Sequence, residues 1–261
     1  MRYKLLLCSR CRCIYAPSPP DIVTLSSAYS AAAYDSGEEA EYAAQTYITA
    51  LSPYLARLRR LTTAVDVGTG NGALIPLLWG KGFSKVIGIE PSQTAIAAAP
   101  DAVRPHILKA VFSASVLEGV SPSLVCSFMT LEHLPDPKTF IDTVYDVLEE
   151  EGIVAVVVHN WQGFINRLLK LRSPIIDIEH LQLFCPLAIE TLLKEAGFAN
   201  ISINSIKNNY PLRYWLNLMP LPGTAKKMLG GWLKKTGMDR RPFSMNVGNI
   251  LAVGQKTKQG G

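Results

Sequence analysis

Cysteine is scarce in this chain, with five among 261 residues and no regular spacing. An odd, irregular count excludes the disulfide framework of a small secreted domain. Charged residues are also few, at 18%. No apolar run approaches the ~20 residues of a bilayer-spanning helix; the longest, residues 153–158, suits a buried strand. The apolar stretch after Met1 is too short for a signal peptide, so a cytoplasmic protein is expected. Internal repeats are absent. What is abundant is hydrophobic side chain, 48%, enough for a sizeable core and against wholesale disorder.

The net charge of +5 is mild but unevenly placed. Lys226, Lys227, Lys234, Lys235, Arg240 and Arg241 crowd one stretch, while Glu149, Glu150 and Glu151 form a small acidic cluster. The basic stretch reads either as a solvated surface or as a contact for an anionic partner: phospholipid, phosphorylated substrate or nucleic acid.

Residues 21–60 read as a helical cap with Ala-rich and Tyr-rich faces, interrupted near Asp35-Ser36-Gly37 and at Pro53. Short β-branched runs then begin at 64–67, 86–89, 107–112, 124–128 and 153–158, alternating with helical stretches at 73–78, 94–99 and 138–149. Strands separated by crossover helices imply a Rossmann-like α/β domain, its mostly parallel sheet covered on both faces. The clearest helix carries Phe140, Ile141, Val144, Val147 and Leu148 on one stripe, with Gly152 past its end. A loop with a short helix (159–184), a helix (186–196), a strand (201–206) and a last strand (247–253) follow. The organisation expected is an arm at 1–20, a cap at 21–60, a main domain at 61–256 and a tail at 257–261. A lid-like insertion at 207–246 precedes the last strand.

Asp66-Val67-Gly68-Thr69-Gly70-Asn71-Gly72 stands where the first of these strands turns into a helix. Glycines there permit positive φ and close approach of a ligand, and the helix N-terminus offers free N–H groups. Glu90, at the end of the next strand, is placed to accept hydrogen bonds from ribose hydroxyls. The pair alone leaves the cofactor open, because Gly68-x-Gly70-x-x-Ala73 also satisfies the dinucleotide fingerprint of an NAD-dependent oxidoreductase. Asp66 opposes that reading, since an acid aimed at the turn suits an ammonium better than a pyrophosphate. No Tyr is followed four residues later by Lys, so the proton relay of short-chain dehydrogenases is missing.

From about residue 21 to 256 the chain resembles the class I methyltransferases that use S-adenosylmethionine (SAM). The glycine turn is similar to their first motif, and Val86-Ile87-Gly88-Ile89-Glu90-Pro91-Ser92 to their second. The segment Leu131-Glu132-His133-Leu134-Pro135-Asp136-Pro137 resembles the subgroup whose fourth strand is followed by Glu-His-Leu-Pro-Asp-Pro. The resemblance implies a seven-stranded sheet with its last strand antiparallel, and SAM lying across the strand ends. It implies a cofactor site of Asp66, Gly68, Gly70, Gly72, Glu90, Pro91, Ser115 and Met129. The family often carries an acid near the adenine; this chain reads Ser113-Ala114-Ser115-Val116, so Ser115 or backbone must replace it.

His133 and His180 are the candidates for removing a proton from the acceptor, and His106 and His159 have less support. Each of the first two reads equally as a packing or loop-bracing residue. Cys8-x-x-Cys11-x-Cys13 resembles the second half of a zinc ribbon found ahead of some such methyltransferases. A structural zinc needs four ligands, and Cys126 in a strand and Cys185 before a helix are poorly placed to complete the set. No bound metal is therefore expected. Residues 214–236 combine an apolar helical stripe with lysine pairs, readable as a cap helix or as a weak peripheral membrane contact. The expected partner is a small-molecule acceptor, O-methylated on a sugar, a lipid-linked glycan or a quinone-like compound. Nucleic acid is not expected, because the Asn-Pro-Pro-Tyr type of tetrapeptide is absent. A non-catalytic binding protein with the same fold stays open.

Overall fold

The computed structural model describes residues 4–19, 38–170, 173, 175–176, 180–219 and 221–258. The part of the expected cap at 21–37 lies outside the described residues. The chain begins with β1 (Leu6–Leu7), β2 (Ile14–Tyr15) and α1 (Glu38–Leu55). The alternating region follows as β3 (Thr63–Val67), α2 (Ile75–Gly80), β4 (Lys85–Ile89), α3 (Gln93–Ala97), β5 (Ile107–Leu108), β6 (Leu124–Phe128), α4 (Pro137–Val147) and β7 (Ile153–His159). Then come α5 (Phe164–Leu169), β8 (Gln182–Leu183), α6 (Pro186–Glu195) and β9 (Ala199–Ser205). The last elements are β10 (Asn208–Pro211), α7 (Leu212–Leu218), α8 (Gly223–Lys235), β11 (Pro242–Met245) and β12 (Asn249–Gln255).

Seven strands form the central sheet in the order β5-β4-β3-β6-β7-β12-β9. Only β12 runs antiparallel, against both β7 and β9. Period-two alternation sorts the strand side chains onto two cores. Val65, Val67, Val125, Val154, Val156 and Val158 face Ile141, Val144 and Ile189 of α4 and α6. Ala64, Leu124, Cys126, Ala155 and Val157 face Ile48, Leu51, Ile75 and Leu78 of α1 and α2. The smaller residues on the second face let α1 lie close to the sheet. Asp66 shares the parity of Ala64, so it points toward α1.

The chain starts this sheet at its centre, winds outward through β4 and β5, and returns to the other side of β3 at β6. The loops after β3 and β6 therefore diverge, which opens a crevice at the carboxyl ends of the strands.

Several boundaries differ from expectation. The third strand stops at Leu108 instead of Phe112, because only Gly88 and Ile89 of β4 offer it partners. Pro53 does not interrupt α1; it lies on the exposed side of the last turn, where its ring meets solvent. The helix read to residue 149 ends at Val147, and Leu148 is already extended. The insertion is a β10–β11 antiparallel ribbon with α7 and α8 between its strands. The arm is docked, because β2 pairs with β8 in a separate three-stranded sheet.

One residue not singled out in the sequence secures the end of α4. Lys256 is buried, and its Nζ donates to the carbonyls of Tyr145 and Leu148, both at 2.8 Å. A cation there also meets the negative end of the helix dipole. Replacing Lys256 with Met keeps the packing stem and strands those carbonyls, so Lys256→Met should lower unfolding free energy by about 1–3 kcal/mol. Urea denaturation checks this; an unchanged midpoint would show that water replaces the ammonium freely.

Candidate active site

The crevice between β3 and β6 holds a cavity of about 300 Å³ lined by Asp66, Gly68, Asn71, Met129, Tyr47, Tyr210 and Tyr214, among others. Its floor is the glycine turn. Gly68, Gly70 and Gly72 take φ of +75°, +59° and +75°, in the left-handed region that side chains disfavour. At Gly68 space matters as well, since a Cβ would sit 2.2 Å from the Thr130 hydroxyl oxygen. That hydroxyl also reaches Val67 O, the last residue of β3, at 3.3 Å, so the turn after β3 and the turn after β6 lock against each other.

Glu90 fixes the other side of the turn. Its Oε2 accepts from the Gly70 N–H at 2.9 Å and its Oε1 from the Ser92 N–H at 2.8 Å. Burial pushes the Glu90 carboxyl above its usual range, and those two N–H groups pull it back. Each oxygen keeps a lone pair for a further donor. Asp66 is buried and accepts the Thr69 hydroxyl at 2.6 Å. Desolvation raises its pKa to about 7, with Thr69 lowering it and the Glu90 charge adding to the rise. A ligand cation would relieve this cost.

Met129 has φ of 55°, and its N–H donates to Val157 O at 2.8 Å, which turns the chain at the cavity wall. Pro91 is exposed beside Glu90. Ser115 is exposed and its hydroxyl lies 3.0 Å from that of Ser113, outside the cavity lining. The other walls come from tyrosines not named as site residues in the sequence, on the helical cap and on the insertion expected to be lid-like. Tyr47 stands on α1, Tyr210 in β10 and Tyr214 in the first turn of α7, the last two stacked 4.3 Å apart. The Asn209 N–H donates to the Thr46 hydroxyl at 3.2 Å, which holds the insertion on α1. Their only signal in the sequence is tyrosine density, shared by any packed surface.

His133 and His180 are brought together, with rings 4.7 Å apart. Neither is among the residues lining the cavity. They join Glu132 and His159, whose Nδ1 and Oε1 are in direct contact. His159 thus enters the cluster against the sequence ranking, and His106 packs elsewhere, edge-on to Trp79. Cys185 also corrects the reading of the arm. Its Sγ lies 3.6 Å from Cys11 O, because β8 carries it to the arm hairpin, whereas Cys126 is buried in the sheet. Burial pushes the Cys13 thiol up to about 12. A larger cleft of about 450 Å³ lies among Arg59, Arg60, Glu149 and Lys258. Its charges pair locally, as Arg59 does with Glu151 at 3.2 Å, and it borders neither the glycine turn nor the histidines.

A family model described as a methyltransferase domain matches residues 37–203. The chain belongs to the methyltransferase-domain family. The match agrees with the three motifs that resembled SAM-dependent enzymes, and the oxidoreductase alternative falls. Among solved structures, a SAM-dependent methyltransferase from Archaeoglobus fulgidus is 14% identical with a TM-score of 0.55, covering 90% of this chain and 100% of that one. Haemonchus contortus phosphoethanolamine N-methyltransferase 2, with phosphomonomethylethanolamine and S-adenosylhomocysteine, is 17% identical with a TM-score of 0.54. That match covers 91% of this chain and 61% of that one. At such identities the likeness is one of fold. A peramine synthetase of Metarhizium rileyi is 26% identical over 149 residues, 52% of this chain. The methyltransferase chain spans 5% of the length of that relative.

The Asp66 environment has a sign that can be measured. In the folded chain its proton leaves near pH 7, against 3.8 for the free group. Between those values the folded state holds the extra proton, so this group lowers stability as pH rises. Asp66→Asn has no charge to bury and keeps an acceptor for Thr69. Its melting temperature relative to the parent should therefore climb from pH 4 to pH 7 and then level off. A difference that stays flat across this range would mean that Asp66 is not held protonated.

Proposed function

We propose that this methyltransferase moves a methyl group from SAM to a small-molecule acceptor, most simply an oxygen of a sugar, a lipid-linked glycan or a quinone-like compound. One observation carries the reading: a buried acid and a glycine turn meet an aromatic-walled cavity at the point where the sheet reverses its winding. The residues fit SAM. Asp66 can pair with its ammonium, the turn N–H groups with its carboxylate, and Glu90 with its ribose hydroxyls through the free lone pairs. The rings of Tyr47, Tyr210 and Tyr214 suit a cationic sulfonium. Ser115 and backbone beside Pro91 are left for the adenine.

Bound SAM supplies an electrophilic methyl group on a positively charged sulfur. The chain's own part is then positioning and exclusion of water. Met129 and Phe128 form an apolar wall, and Tyr210 and Tyr214 bring the insertion over the cavity as a lid. His180 and His133 are the groups we assign to proton removal from the acceptor. SAM or S-adenosylhomocysteine should raise the melting temperature, by the equivalent of ~2.7 kcal/mol at a hundredfold excess over Kd. NAD and NADP should not. Glu90→Gln should weaken SAM at least ~10-fold, because a charge-assisted bond is worth ~1.5–3 kcal/mol. Stabilisation by NAD alone would reject the reading; SAM binding without turnover across acceptor classes would favour a non-catalytic binding protein.

A second observation bears on where the acceptor comes from. Helix α8 has no buried residue. It touches the rest of the chain on the side of Lys226, Gly230 and Leu233, which are half-buried. Its apolar stripe points elsewhere: Met228, Leu229 and Trp232 are 77%, 44% and 56% exposed. Apolar side chains flanked by Lys227, Lys234 and Lys235 match an anionic lipid surface. No helix among the described residues is long and apolar enough to cross a membrane. Vesicles of phosphatidylserine and phosphatidylcholine should sediment the protein at low salt and release it at high salt. Changing Lys226, Lys227, Lys234 and Lys235 to Gln should abolish that binding and leave SAM affinity intact; sedimentation indifferent to salt and lysines would reject a lipid surface.

A further inference from the structure

Three side chains from separate elements converge at the carboxyl ends of β6 and β7. Glu132 lies in the 3-10 turn after β6 and is 1% exposed. His159 ends β7, and His180 precedes β8. His159 Nδ1 contacts Glu132 Oε1, and His180 Nε2 is 4.0 Å from the same oxygen. One ligand atom of each residue lies within 4.8 Å of the other two. Glu132 Oε2 is buried with no hydrogen-bond partner among the described residues. A buried carboxylate with one oxygen bare is costly unless a cation completes it. The histidine side chains are 20% and 10% exposed, which leaves the cluster an open side.

We propose that Glu132, His159 and His180 form a binding site for one divalent cation of the zinc or ferrous class. Two imidazoles and one carboxylate make a three-ligand set that leaves positions open for water or substrate. Magnesium, which prefers oxygen ligands in a strict octahedron, fits poorly. Ligand bonds of ~2.0–2.2 Å separate the ligand atoms by roughly 3–3.6 Å. The observed spread closes by side-chain rotation: the Glu132–His159 contact opens, and each neutral imidazole offers its lone-pair nitrogen to the cation, keeping its proton on the other ring nitrogen. The frame for this is already rigid. The His159 N–H donates to Glu132 Oε1 at 3.1 Å, and the Leu181 N–H donates to Glu132 O at 2.8 Å.

The site deepens the O-methylation reading and rests on it for its purpose. A cation held there would take an acceptor hydroxyl as ligand and favour its deprotonated form. His180 is then a ligand, and His133, stacked on it, is the side chain left to carry the proton away. The charge of Glu132 already reaches the cavity, where it helps hold the Tyr47 hydroxyl protonated behind the larger effect of burial.

Cobalt(II) is the probe, because its visible spectrum separates nitrogen and oxygen ligands from the thiolates of Cys8, Cys11, Cys13 and Cys185. The full chain should bind one equivalent with ligand-field bands and no thiolate charge-transfer band, and zinc should displace it. His180→Ala and His159→Ala should each weaken binding by roughly 100-fold or more, since even outer-shell losses cost about 10–100-fold. Glu132→Gln, the variant at greatest risk of misfolding, is read only alongside its melting curve. A charge-transfer spectrum alone, or cobalt affinity unchanged in both histidine variants, would overturn the site. SAM-induced stabilisation measured on the same samples keeps the two proposals separate: its persistence without cobalt binding would reject the metal and spare the methyltransferase reading.

Discussion

Two backbone N–H groups, one from Gly70 and one from Ser92, meet on the single carboxylate of Glu90. Parallel pairing of β3 and β4 delivers both loops to the same end of the sheet, where their backbone groups have no strand partner. A buried N–H without an acceptor costs about 1–3 kcal/mol, so one acid satisfying two of them holds the glycine turn in shape. Everything built on the turn inherits that clamp. Thr130 packs into the space left by Gly68, Asp66 accepts the Thr69 hydroxyl of the turn, and Met129 stands across the crevice.

The same clamp gives Glu90 two tasks. It is a structural acceptor in the chain as described, and a ribose acceptor in the functional reading, with a separate lone pair for each. Asp66 is the complementary case. Among the described residues its side-chain partner is the Thr69 hydroxyl, and burial brings the carboxyl to about half protonation at pH 7. A positive ligand beside that acid would offset the cost of burying its charge.

The aromatic wall of the cavity is assembled from parts of the chain far apart. Tyr47 arrives on α1, and Tyr210 and Tyr214 arrive on the insertion between β9 and β12, the last two strands of the central sheet in chain order. The β10–β11 ribbon makes that arrangement firm at its base, through Asn209 on Thr46 and Trp215 on Phe243 O at 2.7 Å. Helix α8, beyond the ribbon, is free of the core and available to a surface. The insertion thus has a fixed half facing the cavity and an outer half facing solvent.

Local patterns in the sequence were enough for the strands of the central sheet, the turn and the helical stripe of α4, because their causes lie within a few residues; the short β1, β2, β8, β10 and β11 escaped them. Val65 and Val67 alternate with Ala64 and Asp66, glycines recur where φ is positive, and Phe140, Ile141 and Val144 repeat with the helix. The short β5 was overestimated for the same reason: residues 109–112 have strand-like composition, but pairing depends on a neighbour that ends at Ile89. What only the tertiary structure decided are the meetings between distant residues. Glu132 and His159 are 27 positions apart, and Cys185 and Cys11 are 174 apart. No periodicity records such distances. They are set by sheet order and by which loop the next strand must reach, and those follow from burying both faces of the sheet at once.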